Sequence, residues 1–150
     1  MSQEGIDLET SMGYLLKEAS SALRTAMESA LRPLGLTVTQ YSCLELLAQR
    51  PGLSTAALAR GTFVTRQSMN VLVQALERDG FVRRPDQAPV GKVLPTELTA
   101  RGRRSLEKAT VAVRSVETAM LDGVADRDQA TAFGVLRRVV TNLGDVPVVD

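Results

Sequence analysis

Residues 36–102 read LTVTQYSCLELLAQRPGLSTAALARGTFVTRQSMNVLVQALERDGFVRRPDQAPVGKVLPTELTARG. The helix caps and breakers in this stretch decide the fold. Thr39 stands where an N-cap belongs, ahead of Tyr41, Cys43, Leu44, Leu47 and Ala48 at helical spacing, and Pro51-Gly52 closes that helix. Ser54 or Thr55 caps a short third helix packed through Ala57, Leu58 and Ala59, with Gly61 as its breaker. Thr65 caps a fourth helix running to about Asp79, and Gly80 follows where a left-handed backbone is common. Residues 81–84 and 94–98 read as two strands, and the polar tip between them holds Pro89 and Gly91. A tight helix pair with a hairpin behind it is built to read double-stranded DNA, its second helix lying in the major groove.

Outward from this core the pattern is helical on both sides. Leu8, Met12, Leu15, Leu16, Ala19, Leu23, Ala26, Met27, Ala30 and Leu31 recur at steps of three and four, which predicts a helix over about 8–31, ended by Pro33 and Gly35. Downstream, Thr99 caps a helix over about 100–121 with Leu106, Ala109, Val113, Val116 and Met120 inward. Asp126 starts a last helix with Ala130, Phe133, Leu136, Val139, Val140 and Leu143 on one side. The expected fold is mainly α with a small β-hairpin wing: a winged helix-turn-helix carrying N- and C-terminal dimerisation helices. It is read as one domain over 1–150, with a DNA-binding core at about 36–102 and dimerisation helices at about 6–34 and 103–146. A DNA-reading core does not need the extra helices to fold. The apolar stripes around Leu16, Leu23, Phe133, Leu136 and Val140 therefore point to a homodimer reading two half-sites. The alternative is that they complete a monomeric core.

Charge is divided along the chain. The net charge is +1, yet residues 51–104 hold nine Lys/Arg against four Asp/Glu, a net of +5, and the remainder holds nine against thirteen, a net of −4. A basic middle attracts phosphate. No apolar run approaches the roughly 20 residues of a membrane span, and the polar, acidic start is unlike a signal peptide, so a cytoplasmic protein without a membrane partner is expected. The single cysteine excludes an intramolecular disulfide. Enzymatic chemistry lacks its parts. With no histidine there is no Ser-His-Asp or Cys-His pair, and neither a metal-ligand cluster nor a Gly-rich phosphate loop stands in the sequence. No cofactor is expected. Asp126 and Asp128 are explained as the cap and first-turn acid of a helix.

Residue chemistry assigns the DNA contacts. Arg66 and Gln67 open the predicted recognition helix, and Asn70 and Gln74 continue its polar face opposite Met69, Leu72, Val73 and Leu76. Arg pairs bidentately with guanine, Gln and Asn with adenine. Thr65 and Ser68 can bond phosphate or the helix's own amides. Ser54 and Thr55 open the third helix, where free amides favour a phosphate. Arg83, Arg84 and Lys92 are wing candidates for phosphate. Arg101, Arg103 and Arg104 read as a solvated face. Cys43, beside Leu44 on an inward face, reads as packing rather than as a redox sensor. Tyr14, Tyr41, Met12 and Met27 are candidates for an effector cavity, though such residues at helical spacing usually form core. A winged-helix protein-interaction module that has lost DNA binding is the alternative function.

The chain resembles the MarR family of bacterial winged-helix transcriptional regulators. Four motifs in order carry the likeness: Leu36-Thr37 through Gln40 and Cys43-Leu44, then Leu58-Ala59, then Leu76-Glu77-Arg78-Asp79-Gly80-Phe81-Val82-Arg83-Arg84, then Leu98-Thr99-Ala100-Arg101-Gly102. The resemblance implies a homodimer on a pseudo-palindromic double-stranded operator, acting as a repressor that a small lipophilic or phenolic ligand releases. The wing departs from the family pattern. Pro89 and Lys92 stand where an Asp and an Arg would brace it, and Lys offers a point charge without the planar fork of Arg.

Overall fold

A computed structural model describes residues 5–84 and 95–146. In chain order it contains α1 (Met12–Leu31), a 3₁₀ turn (Arg32–Leu34), α2 (Val38–Gln49), α3 (Thr55–Thr62), α4 (Arg66–Arg78), β1 (Val82–Arg83), β2 (Glu97–Leu98), α5 (Ala100–Met120) and α6 (Asp126–Gly144). The strands pair antiparallel, with Val82 opposite Leu98 and Arg83 opposite Glu97. The expected α-rich winged helix-turn-helix is the observed fold. Two compact units divide the chain, Met1–Val116 and Glu117–Asp150.

The first unit closes its own core. α2 contributes Cys43, Leu44 and Leu47, α3 Leu58 and Ala59, and α4 Met69, Val73 and Leu76. Val82 and Leu98 add one inward residue from each strand. The same buried cluster takes in Leu31 from α1 and Leu106, Ala109 and Val113 from α5. The first half of α5 therefore packs into the same core as α2, α3 and α4.

Local chemistry sets the helix ends and moves several expected boundaries. α1 starts at Met12, not near Leu8, because the Ser11 hydroxyl accepts the Tyr14 N–H at 3.2 Å and Leu8 lies in a turn. The cap of α2 is Thr37 and not Thr39. Thr37 Oγ1 accepts the Gln40 N–H at 3.1 Å while Gln40 Oε1 accepts the Thr37 N–H at 3.0 Å, a reciprocal capping box. Gly61 does not break α3. It lies inside the helix, and a Cβ there would overlap the Leu46 side chain, so it lets α3 approach α2. The helix ends instead at Phe63, which takes the left-handed conformation at φ 60° with Val64 N–H bonded to the Ala59 carbonyl at 3.1 Å. Asp126 is the first residue of α6 and Ala125 its cap; Asp126 and Asp128 both lie in the first turn, suited to the helix dipole.

The joint behind α4 is tightly built. Gly80 (φ 83°) donates to the Glu77 carbonyl at 3.1 Å, and Phe81 donates to Leu76 at 2.9 Å, the paired bonds of a Schellman end. The Thr99 hydroxyl donates to the Gly80 carbonyl at 2.6 Å and accepts the Gly102 N–H at 3.0 Å. Gly102 rests against the Phe81 backbone so closely that a Cβ would overlap the Phe81 carbonyl oxygen. The Leu-Thr-x-x-Gly spacing thus clamps the start of α5 onto the end of α4.

The second unit is the end of α5 and α6. No residue of α6 is buried. Phe133, Val135, Leu136, Val140 and Leu143 are all exposed, and the Arg137 guanidinium lies 5.3 Å from the Phe133 ring centroid. Among the described residues no helix is long and apolar enough to cross a membrane.

Candidate nucleic-acid interface

α4 presents two different faces. Met69, Val73 and Leu76 are 0 % exposed and anchor it in the core, while Arg66, Gln67, Asn70 and Gln74 are all exposed on the other side. Among the described residues none of these four side chains has an ion pair or a side-chain hydrogen bond, so their donors and acceptors face solvent. The face includes a residue that polarity alone does not single out. Val71 lies one turn beyond Gln67, between Asn70 and Gln74 in sequence, and is 65 % exposed. Its helical position, not its residue type, is the signal. Phe63, in the turn ahead of α4, is 93 % exposed.

The capping hydroxyls are already engaged. Thr65 Oγ1 accepts the Ser68 N–H at 3.0 Å and donates to the Ser68 hydroxyl at 2.9 Å. Ser54 Oγ accepts the Ala57 N–H at 3.2 Å. Thr55 is buried, so at the start of α3 its side chain is turned from solvent while that of Ser54 is partly exposed.

The wing arginines are held by acids. Arg83 reaches Glu97 across the strand pair at 3.3 Å and stays exposed. Arg84 reaches Glu77 of α4 at 3.3 Å, with its side chain only 23 % exposed. Arg84 therefore braces the wing against the recognition helix, and Arg83 is the better placed of the two to turn outward. Lys92 and the rest of the tip lie outside the described residues.

Beneath the helix-turn-helix turn lies a cavity of about 400 Å³. Leu23, Arg24 and Met27 of α1, Val38 and Ser42 of α2, and Phe63 line it. Of the four effector-cavity candidates only Met27 is among its walls. Tyr41 packs against the core, and Met12 and Tyr14 are exposed on the first turns of α1. Cys43 is fully buried, and burial pushes its thiol up to about 12, far from the thiolate that oxidant sensing needs. Leu16 and Leu23 are half-buried, whereas Phe133, Leu136 and Val140 are exposed, so both expected dimerisation stripes retain apolar surface. Among the described residues no three His, Cys, Asp or Glu side chains cluster as a metal site.

Comparison with known proteins agrees with this geometry. Residues 34–92 match the model of the MarR family. The HTH-type transcriptional repressor Rv2887 of Mycobacterium tuberculosis is 43% identical over 117 residues, covering 78% of this chain and 84% of the relative. A crystal structure of Rv2887 in complex with DNA superposes with a TM-score of 0.72 at 38% identity, over 87% of this chain and 98% of that one. A second, in complex with salicylic acid, gives 0.71 at 39% identity, over 87% and 96%. Shared order of elements, a polar recognition face on α4 and this level of identity lead to one conclusion: the chain belongs to the MarR family.

Proposed function

We propose that the protein is a homodimeric transcriptional repressor that binds a pseudo-palindromic operator through α4 and leaves it when a small aromatic anion binds. The observation that carries this reading is the solvent face of α4, where Arg66, Gln67, Asn70 and Gln74 stand free on a helix whose other face is locked in the core. Such a face meets base edges with little rearrangement: Arg66 on guanine, Gln67, Asn70 or Gln74 on adenine, and Val71 against a thymine methyl. Ser54 and Arg83 suit the flanking phosphates, as does Lys92 from the wing. The function is a binding equilibrium and requires no bond to be made or broken. DNA as partner places it in the cytoplasm.

Two half-sites lie about 34 Å apart along one face of DNA, so a symmetric pair of recognition helices is required. The half-buried Leu16 and Leu23 and the exposed Phe133, Leu136 and Val140 are the surface assigned to that pairing. The complex of Rv2887 with DNA supports the operator reading, and its complex with salicylic acid supports release by an aromatic carboxylate. The cavity under Phe63 is the candidate effector site. It touches α1, α2 and the turn that aims α4, so an occupant there favours one setting of the recognition helix over another.

The test is selection of binding sequences from random duplexes, followed by affinity measurements over a salt series with and without salicylate. The account expects an enriched inverted repeat, a steep loss of affinity with salt, and weaker binding in salicylate at constant ionic strength. Failure to enrich any sequence, with only weak salt-sensitive binding, would favour the protein-interaction module. The exposed Phe63 and Val71 would then be its contact residues.

A further inference from the structure

A second cavity, of about 490 Å³, lies on the first unit away from the base-reading turn. Its floor is Pro33, Leu34 and Phe81; its wall is one face of α5, where Arg101, Arg104, Ser105 and Lys108 follow each other at helical spacing. Within the described residues none of the three cations has an acidic partner. Arg101 is held in place by its stacking on Phe81, 5.1 Å from the ring centroid. Arg101 and Arg104 are two of the three arginines that read in the sequence as a solvated face, and the fold gives these two a concave site.

We propose that this cavity binds a small molecule carrying a phosphoryl group attached to an apolar or aromatic part, and that its occupancy sets the recognition helix. Three cations lining one cavity without acidic partners match a dianion better than a single carboxylate does. Ser105 adds a hydroxyl donor, and the Phe81–Pro33–Leu34 floor takes the apolar part. The volume falls in the range of small-ligand sites. DNA phosphate is the other source of the same chemistry. Phe81 lies beyond the far end of the 13-residue α4, about 20 Å along its axis from Arg66, which favours the small molecule. The route to DNA is short. Phe81 closes the end of α4 through its bond to Leu76, and its carbonyl accepts the Thr99 N–H at 3.1 Å. A ligand seated on the Phe81 ring therefore presses on the joint that fixes α4 and starts the wing.

The probe is phenyl phosphate, titrated by calorimetry into the full-length protein without DNA, with sodium chloride at matched ionic strength as the control. Wild type should bind it and the double variant Arg104→Gln/Lys108→Gln should lose about tenfold or more, as two charge-assisted bonds imply. Arg103→Gln, on the same helix but outside the cavity, should bind as wild type does. All three side chains are exposed, and matching melting curves will verify folding. Equal binding by wild type and the double variant, or an equal loss in Arg103→Gln, would overturn the site. The regulatory half rests on the operator reading: saturating phenyl phosphate should change wild-type operator affinity severalfold and leave the double variant unmoved. If the double variant instead loses operator affinity without any ligand, the cations serve DNA phosphate and the small-molecule assignment is wrong. Failure to bind DNA at all would strike the operator reading while leaving the calorimetric result standing.

Discussion

Helices α4 and α6 are both amphipathic, and the chain itself covers only one of them. In α4 the apolar face meets α3 and β1, and Met69, Val73 and Leu76 are sealed from solvent. In α6 the apolar residues Phe133, Leu136, Val140 and Leu143 stay exposed, between 46 % and 65 % of their surface. An apolar stripe states that a partner is needed, not which molecule supplies it. For α4 the partner is the same chain, which leaves its polar face in solvent. For α6 the account assigns a second copy.

The comparison breaks most readily at α6. Removing residues 126–150 should turn a species of about twice 16.1 kDa into a monomer or an aggregate in sedimentation. Operator affinity should fall about 100-fold or more, because two linked half-site contacts become one. The double variant Phe133→Glu/Val140→Glu should do the same with the chain length kept. A well-folded full-length monomer would show that α6 needs no second chain.

The closure of the first unit is tested by its glycines. Gly102→Ala drives a methyl group into the backbone of Phe81, which cannot swing aside, and should cost about 3 kcal/mol in a denaturant titration. Gly61→Ala meets the end of the flexible Leu46 side chain and should cost about 1 kcal/mol. Equal costs would mean that the clamp between α4 and α5 is looser than the geometry shows.

Cys43 probes the same core with the smallest effect on function. Its raised pKa means that the folded state keeps a proton the unfolded chain gives up. Its contribution to stability is therefore full below pH 9 and lost as pH rises toward about 12. Cys43→Ala should flatten that alkaline loss and leave operator affinity unchanged. Iodoacetamide at pH 8 should label the thiol only after unfolding. Peroxide release of the wild type from DNA, absent in Cys43→Ala, would contradict the buried-thiol account.

Much of this was legible in the sequence where a residue's type and its local job coincide. The Thr65 cap, the Gly80 turn and the polar face of α4 depend only on neighbours three or four residues away, and the structure has them as expected. Errors arose where a tertiary contact decides. Gly61 looks like a breaker, but it is the point where α3 touches Leu46 of α2. Thr37 and Thr39 both precede the same helix, and only the reciprocal bond with Gln40 separates them. Val71 is apolar, so polarity does not mark it, although its helical angle puts it on the exposed side of α4. The cavity beside Arg101, Arg104 and Lys108 needs Pro33 and Phe81 as its floor, and no periodicity joins residues so far apart in the chain.

The central claim is that the free face of α4 reads bases. Its direct measurement is the affinity of wild type and Arg66→Ala for the selected operator and for random duplex, each across a salt series. The account predicts that Arg66→Ala costs about 1–3 kcal/mol per half-site on the operator and much less on random DNA, with a nearly unchanged salt slope on random sequence. An equal loss on both DNAs, with the salt slope reduced by about one phosphate charge per subunit, would make Arg66 a backbone anchor and contradict the claim.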